Sequence, residues 1–181
     1  MIEKIKTDID GIFILSNKIF LDNRGSFKKI LNADDFKTLG LNFVPKELYY
    51  SINKKNVIRG MHFQLPPHAH AKLVYVVQGT ITDVCLDIRK NSKTCGKYFS
   101  ITLCGTDDRY LYLPAGIAHG FVSREDNTIV HYAQTSCYSK AHDAGIQYNS
   151  FGFDWKITSP IVSERDKAFP DMKRYEGVFS I

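Results

Sequence analysis

The 181-residue chain lacks a CxxC pair, a long apolar run, a polybasic block and an internal repeat, and each absence narrows its function. Cys85, Cys95, Cys104 and Cys137 stand apart, three of them in apolar or strand-like runs, which indicates reduced, buried thiols and a cytoplasmic location. The opening "MIEKIKTDIDGIFIL" carries acidic residues and no long apolar core, so neither a signal peptide nor a transmembrane span is expected and no membrane partner is implied. The net charge of +5 comes from 24 basic and 19 acidic residues spread along the chain. A nucleic-acid surface needs a clustered basic stripe, so the charge argues at most for a small anionic ligand such as a phosphate. Without a repeat, linker or low-complexity tract, residues 1–181 read as a single domain.

What is present points to strands. The apolar fraction of 44% and charged fraction of 24% are those of a soluble globular protein, and twelve Phe with ten Tyr favour β structure. Segments 47–53, 57–64, 72–77, 80–88, 97–104, 109–113, 117–123 and 128–135 are rich in Val, Ile, Tyr and Phe and are bounded by Gly, Pro, Asn or Asp turns. Helical signal is confined to residues 33–40, ended by Gly40, and 163–169, opened by a Ser cap; everything between reads as strands. The fold class is therefore all-β, a sandwich or jelly-roll barrel with short flanking helices. In "TITDVCLDI", Ile81, Asp83, Cys85 and Asp87 share one face and Thr80, Thr82, Val84, Leu86 and Ile88 the other. A charge inside such a strand either faces outward or is functional.

The stretch "RGMHFQLPPHAHAK", residues 59–72, concentrates three histidines, an arginine and a lysine. One reading is a metal site in which His68 and His70 alternate on a strand face and His119 of "PAGIAHG" joins them; residues 71–80 supply no Glu to complete the set. A second is acid/base catalysis by His62, whose imidazole titrates near neutral pH, with Lys72 as a cationic stabiliser. In the third, these side chains only line strand edges in water.

The ordered series RG-x-HFQ-x-PP-x-A-x-AK, DIR, P-x-G-x-AHGF and S-x-x-D runs through about residues 20–170 and resembles the dTDP-4-dehydrorhamnose 3,5-epimerase family. The resemblance implies a metal-free, cofactor-free cupin jelly roll, a homodimer, acting on a nucleotide-diphosphate sugar at the carbons beside its 4-keto group. A proton there is acidic because its loss gives an enolate, so inversion needs a base on one face, an acid on the other and a donor for the oxyanion. By position His62 matches the base, Asp166 the carboxylate orienting it, Lys72 the enolate stabiliser and Tyr132 the acid. Arg59, His119 and Tyr138 match substrate-lining positions; Arg24 and Arg165 are candidates for the diphosphate and Phe27 for stacking on the base. Beside these roles stand plainer ones: Tyr132 as a core aromatic, Asp166 as a first-turn helix acid, Lys72 as a surface strand residue.

Arg59 and His62 have opposite parity, so a straight strand would point them to opposite faces; a bulge at Gly60 or a reach across a dimer interface would reconcile them. The sequence departs from the family where the nucleotide would be read. Lys29 stands for a usual Glu, and "ELYYSIN" puts Glu47 for Gln, Tyr49 for Asn and Asn53 for Ser; His70 and Tyr75 also depart. An ionised Glu only accepts hydrogen bonds, which suits guanine better than thymine and favours GDP over dTDP. The rivals to an epimerase are a metal-dependent cupin oxygenase or isomerase using His62, His68, His70 or His119, and a sugar-nucleotide-binding module without turnover.

Overall fold

The computed structural model describes residues 2–180. Thirteen strands appear among them: β1 (Glu3–Lys6), β2 (Phe13–Ser16), β3 (Ile19–Asp22), β4 (Gly25–Lys28), β5 (Glu47–Asn53), β6 (Ile58–Gln64), β7 (Lys72–Gln78), β8 (Thr80–Asp87), β9 (Tyr98–Cys104), β10 (Arg109–Leu113), β11 (Ile117–Ser123), β12 (Thr128–Gln134) and β13 (Asp143–Gly145). Two short helices accompany them, α1 (Ala33–Thr38) and α2 (Glu164–Lys167). Asn32 caps α1 by accepting from the N–H groups of Asp34 and Asp35, and Ser163 caps α2 by accepting from that of Asp166.

A six-stranded sheet, ordered β1-β2-β10-β7-β12-β5, faces a five-stranded sheet ordered β13-β6-β11-β8-β9, with antiparallel pairing throughout. The β3–β4 hairpin stands apart from both. This is the expected all-β sandwich of the jelly-roll type. No described helix is long and apolar enough to cross a membrane.

Period two sorts the side chains into layers. Ile81 and Cys85 of β8, Phe121 of β11, Val74 and Val76 of β7 and Val130 of β12 fill the space between the sheets. The alternate residues Val84 and Leu86 of β8 and Val122 of β11 face the other way and are covered by Trp155, Val162 and Phe179 of the C-terminal segment. The outer face of the larger sheet is covered by Phe36 of α1 with Leu41 and Phe43. That cover stops short of β5, where Leu48, Tyr50 and Ile52 remain exposed.

Two sequence expectations change here. Residues 135–162 carry only the three-residue β13; Phe151, Phe153 and Trp155 are apolar because they lie across a sheet, not within one. His68 and His70 do not alternate on a strand: the residues between β6 and β7 form a turn and irregular chain around Pro66 and Pro67, which have no N–H to give a ladder. The four N-terminal strands, each of four residues, were not among the strand-like segments.

Candidate active site

A cavity of about 370 Å³ opens between the sheets, within the range of small-molecule sites. Its walls come from inward-facing positions: His62 on β6 and His119 on β11 of the smaller sheet, Lys72 on β7 and Tyr132 on β12 of the larger, with Glu47, Tyr49 and Ser51 of β5 alongside. The imidazole of His62 and the phenol of Tyr132 thus belong to facing sheets and line one cavity.

Arg59 lines the same cavity as His62 despite the opposite parity. Between them the β6–β11 pairing shifts register, with His119 opposite His62 but Phe121 opposite Arg59, so one residue of alternation is lost at Gly60. Gly60 has φ +144°, and a Cβ there would lie 2.5 Å from Gly120 Cα; only glycine fits that close crossing of two strands. Of the two reconciliations of the parity conflict, the irregularity at Gly60 is the one observed. Asn53 then accepts from Arg59 Nε at 2.7 Å and is itself held by the Thr128 carbonyl at 3.0 Å.

Asp166 reaches β6 from the first turn of α2. Its Oδ1 meets His62 Nε2 at 2.9 Å and its Oδ2 accepts from the Gly60 N–H at 3.0 Å. Its own N–H goes to the Ser163 cap, so the residue is both a helix acid and the partner of the histidine. Burial works to raise this carboxyl, but the hydrogen bonds and charge of His62, the Gly60 N–H and Ser163 outweigh it and hold it below the ordinary carboxylate range. It therefore stays ionised at neutral pH and accepts the Nε2 proton. His62 Nδ1 then carries the lone pair and has no hydrogen-bond partner among the described residues. Burial lowers the His62 pKa, with Asp166 pulling the other way, so a neutral imidazole, the form a base needs, prevails near pH 7.

Lys72 is 8% exposed. Burial brings its pKa down to about 8, against the pull of Asp83, Cys85 and Asp143. It is a poised cation, not a surface strand residue. Burial drives the Tyr132 phenol well above its ordinary value, against a hydrogen bond with Ser51, which keeps it protonated as a proton donor must be. His119 Nε2 contacts Asp83 Oδ2 at 2.8 Å, both residues almost fully buried.

Asp83 and Asp143 were not among the sequence candidates. Asp83 had a signal, as a charge in mid-strand on the face shared by Ile81 and Cys85. Asp143 had none, since it opens the three-residue edge strand β13, too short to show alternation, and is paired with Arg165 at 2.7 Å. Glu47 and Tyr138 meet at the rim: Glu47 Oε2 accepts from Gln134 Nε2 at 3.0 Å and from the Tyr138 N–H. Arg165 also lines the cavity.

Three of the sequence candidates are not brought here. Arg24, Phe27 and Lys29 lie on or beside the β3–β4 hairpin, where they line separate pockets. Arg24 is exposed and, among the described residues, paired only with Asp22, and Phe27 is 61% exposed. Of the histidines weighed as metal ligands, His62, His70 and His119 line the cavity and His68 does not, but they are not directed at one point. His62 and His119 each face a carboxylate, while His68 stacks on His142 with centroids 4.6 Å apart. His70 contacts the His68 carbonyl at 3.1 Å, and burial beside Lys72 takes its pKa down to about 4. Among the described residues no three His, Cys, Asp or Glu side chains are placed to hold one ion.

Known proteins share this arrangement of strands. A family model described as dTDP-4-dehydrorhamnose 3,5-epimerase matches residues 6–174. A relative of that name from Shigella flexneri is 36% identical over 165 residues, covering 90% of this chain and 91% of its own. The crystal structure of dTDP-4-dehydrorhamnose 3,5-epimerase from Bacillus anthracis, with TDP and PPi bound, matches with a TM-score of 0.91 at 35% identity, over 94% of this chain and 99% of that one. The Legionella pneumophila dTDP-6-deoxy-D-glucose-3,5-epimerase, in complex with dTDP-4-keto-L-rhamnose, matches with a TM-score of 0.91 at 30% identity, over 96% and 94% of the two chains. The chain therefore belongs to the dTDP-4-dehydrorhamnose 3,5-epimerase family, cupin-like isomerases that act on nucleotide sugars.

Proposed function

We propose that this protein inverts carbon 3, carbon 5 or both of a nucleotide-linked 4-keto-6-deoxy sugar without a metal or other cofactor. The observation that carries the reading is the placing of a carboxylate-held imidazole and a protonated phenol on facing walls of one cavity. His62 takes the proton from the carbon beside the ketone and becomes imidazolium, stabilised by Asp166, while the C–H electron pair moves into the enolate. Lys72 donates to the enolate oxygen. Tyr132 gives its O–H proton to the other face of the same carbon and is left as phenolate; solvent then returns a proton to Tyr132 and takes one from His62. Tyrosine is a weak acid, but an enolate carbon is basic enough to receive its proton. His119, Tyr138, Arg59 and Arg165 bind substrate, and the guanidinium groups of the two arginines, which line the cavity, suit the diphosphate.

For the nucleotide, dTDP is the first reading, because Glu47 spends one carboxylate oxygen on Gln134 and the Tyr138 N–H and so builds the rim. GDP is the second. It is favoured by the remaining Glu47 oxygen, an acceptor with no hydrogen-bond partner among the described residues and suited to the N–H groups of guanine. Competitive titration with the two diphosphates decides between them.

The reading includes a homodimer. Leu48, Tyr50 and Ile52 expose an apolar strip on an edge strand, and Phe20, Leu21 and Phe27 another on the hairpin, a pattern that favours burial against a second copy. Arg24, Phe27 and Lys29 would then serve the partner's cavity, since they line none of the walls of their own. A cytoplasmic location accords with the four free thiols.

Incubation of the protein with a dTDP-4-keto-6-deoxyhexose in deuterated water tests the reaction. Deuterium entering beside the ketone together with an epimer is expected. Neither appearing would end the enzymatic reading, and activity lost with a stoichiometric metal on chelation would replace it with the metal-dependent one.

A further inference from the structure

Tyr49 stands in the segment that the sequence resemblance links to reading the nucleotide, and its place is unusual for such a reader. It sits directly opposite Tyr132 in the β5–β12 register. The two rings are stacked face to face, centroids 4.7 Å apart and planes 15° from parallel. The Tyr49 hydroxyl donates to Gln134 Oε1 at 3.3 Å, and the same Gln134 donates from its Nε2 to Glu47. The ring is therefore fixed at three points: by its strand, by its hydroxyl and by its flat contact with the neighbouring phenol. His119 makes a T-shaped contact with the Tyr132 ring, centroids 6.3 Å apart and planes at 71°. Tyr132 consequently has little freedom to swing about χ1 and χ2.

We propose that Tyr49 is a positioning residue for proton delivery: its stacked ring holds the Tyr132 phenol at the angle from which it reprotonates the enolate on the face opposite His62. The proposal rests on the epimerase reading and deepens it. An enolate held beside His62 and Tyr132 has two fates. Tyr132 can donate to the far face, which inverts the carbon, or the His62 imidazolium can return a proton to the near face, which restores the starting configuration. In deuterated water the imidazolium exchanges with solvent, so return leaves deuterium without inversion. Fixing Tyr132 speeds the first fate and leaves the second alone, so the ratio of exchange to inversion reads its placement.

The test compares wild type, Tyr49→Ala, Tyr49→Leu and Tyr49→Phe on a dTDP-4-keto-6-deoxyhexose in deuterated water, following deuterium content and epimer together by NMR. Tyr49→Leu keeps bulk on the strand without a flat ring, and guards against a fold lost in Tyr49→Ala. Tyr49→Phe keeps the stack and removes only the hydroxyl. Ala and Leu are expected to raise the ratio of exchange to inversion roughly two- to tenfold, the range an aromatic pair is worth in double-mutant cycles. Phe is expected to keep the wild-type ratio. A ratio unchanged in Ala and Leu overturns the proposal. A rise in Phe equal to that in Leu also overturns it, by moving the effect to the Gln134 hydrogen bond. If wild type itself neither exchanges nor inverts, the epimerase reading fails and the role of Tyr49 falls with it, a result distinct from active variants with an unchanged ratio.

Discussion

Replacing Asp166 by Asn tests the base more sharply than removing His62, because it keeps shape and changes only charge and hydrogen-bond direction. Asp166 Oδ2 accepts from the Gly60 N–H at 3.0 Å, a bond that only an oxygen can make, so the amide nitrogen of the substituted side chain would be turned toward His62. That nitrogen donates and cannot accept. The proton on His62 must then move from Nε2 to Nδ1, and the lone pair on Nδ1 is lost. The smallest effect is the loss of a charge-assisted hydrogen bond, about 1.5–3 kcal/mol, or about 10- to 150-fold in kcat. The same exchange in a hydrolase triad, where the wrong tautomer dominates, costs about 10⁴-fold, which sets the upper end. Loss of the Asp166 charge also removes an influence that raises the His62 pKa, so the acid limb of the pH profile should move to lower pH as kcat falls. Epimer formation by NMR across pH 4 to 9, with KM recorded separately, measures both. A kcat within about threefold of wild type, less than the weakest such hydrogen bond is worth, would refute the dyad.

Other outcomes follow from the same geometry. In wild type kcat/KM should rise as pH climbs through the His62 pKa, which burial holds below 6.5, and fall as Lys72 loses its proton at about 8; an alkaline limb near the ordinary lysine value of about 10.4 would contradict the role of Lys72. Tyr132→Phe should keep deuterium exchange at the carbon facing His62 while abolishing inversion there, as read by NMR. Gly60→Ala places a Cβ 2.5 Å from Gly120 Cα at φ +144° and should cost at least about 1–3 kcal/mol, seen as a lower Tm in a thermal melt. Leu48→Asp, on the exposed side of β5, should shift the protein from dimer to monomer in light scattering; a wild type already monomeric at micromolar concentration would remove the dimer.

Much of the fold was legible because strand periodicity is a local property. β5, β10 and β11 fall on the segments expected for them, and β6, β7, β8, β9 and β12 differ only at an end. The N-terminal strands were not legible: four residues such as Phe13–Ser16 show too little alternation to stand out, and β1 and β2 become strands because β10 offers them a ladder, while β3 and β4 pair with each other. The stretch from 135 to 162 misled in the other direction, since burial beneath a sheet and membership of one both demand apolar residues. In the site, ordered motifs located His62, Lys72, Tyr132 and Asp166. The contact of His62 with Asp166 spans 104 positions, a distance that periodicity does not bridge. Asp83 could have been found from its charge on an apolar strand face; Asp143 depends on the docking of the three-residue β13 against β6, which no local pattern marks.

The placement of the cavity residues on interior and edge strands has a physical consequence. His62, Lys72, Asp83, His119 and Tyr132 stand on β6, β7, β8, β11 and β12, each flanked by a strand on both sides. Such strands are held by two ladders, so a side chain placed there keeps its position, and a substitution is felt in both neighbours. Glu47, Tyr49 and Asn53 stand on β5, which ends its sheet and pairs with β12 alone. An edge strand can exchange its inward residues while disturbing one neighbour, and these three face inward at every second position. Proton transfer requires atoms fixed to within about half an ångström, whereas recognition can be re-cut by changing a rim. On the proposed reading the sandwich divides the labour: interior strands carry the residues assigned to proton transfer, and the edge strand carries cavity residues that can change at less cost to the sheet. Tyr49 touches both parts, since its strand is the edge one and its ring is stacked on that of Tyr132.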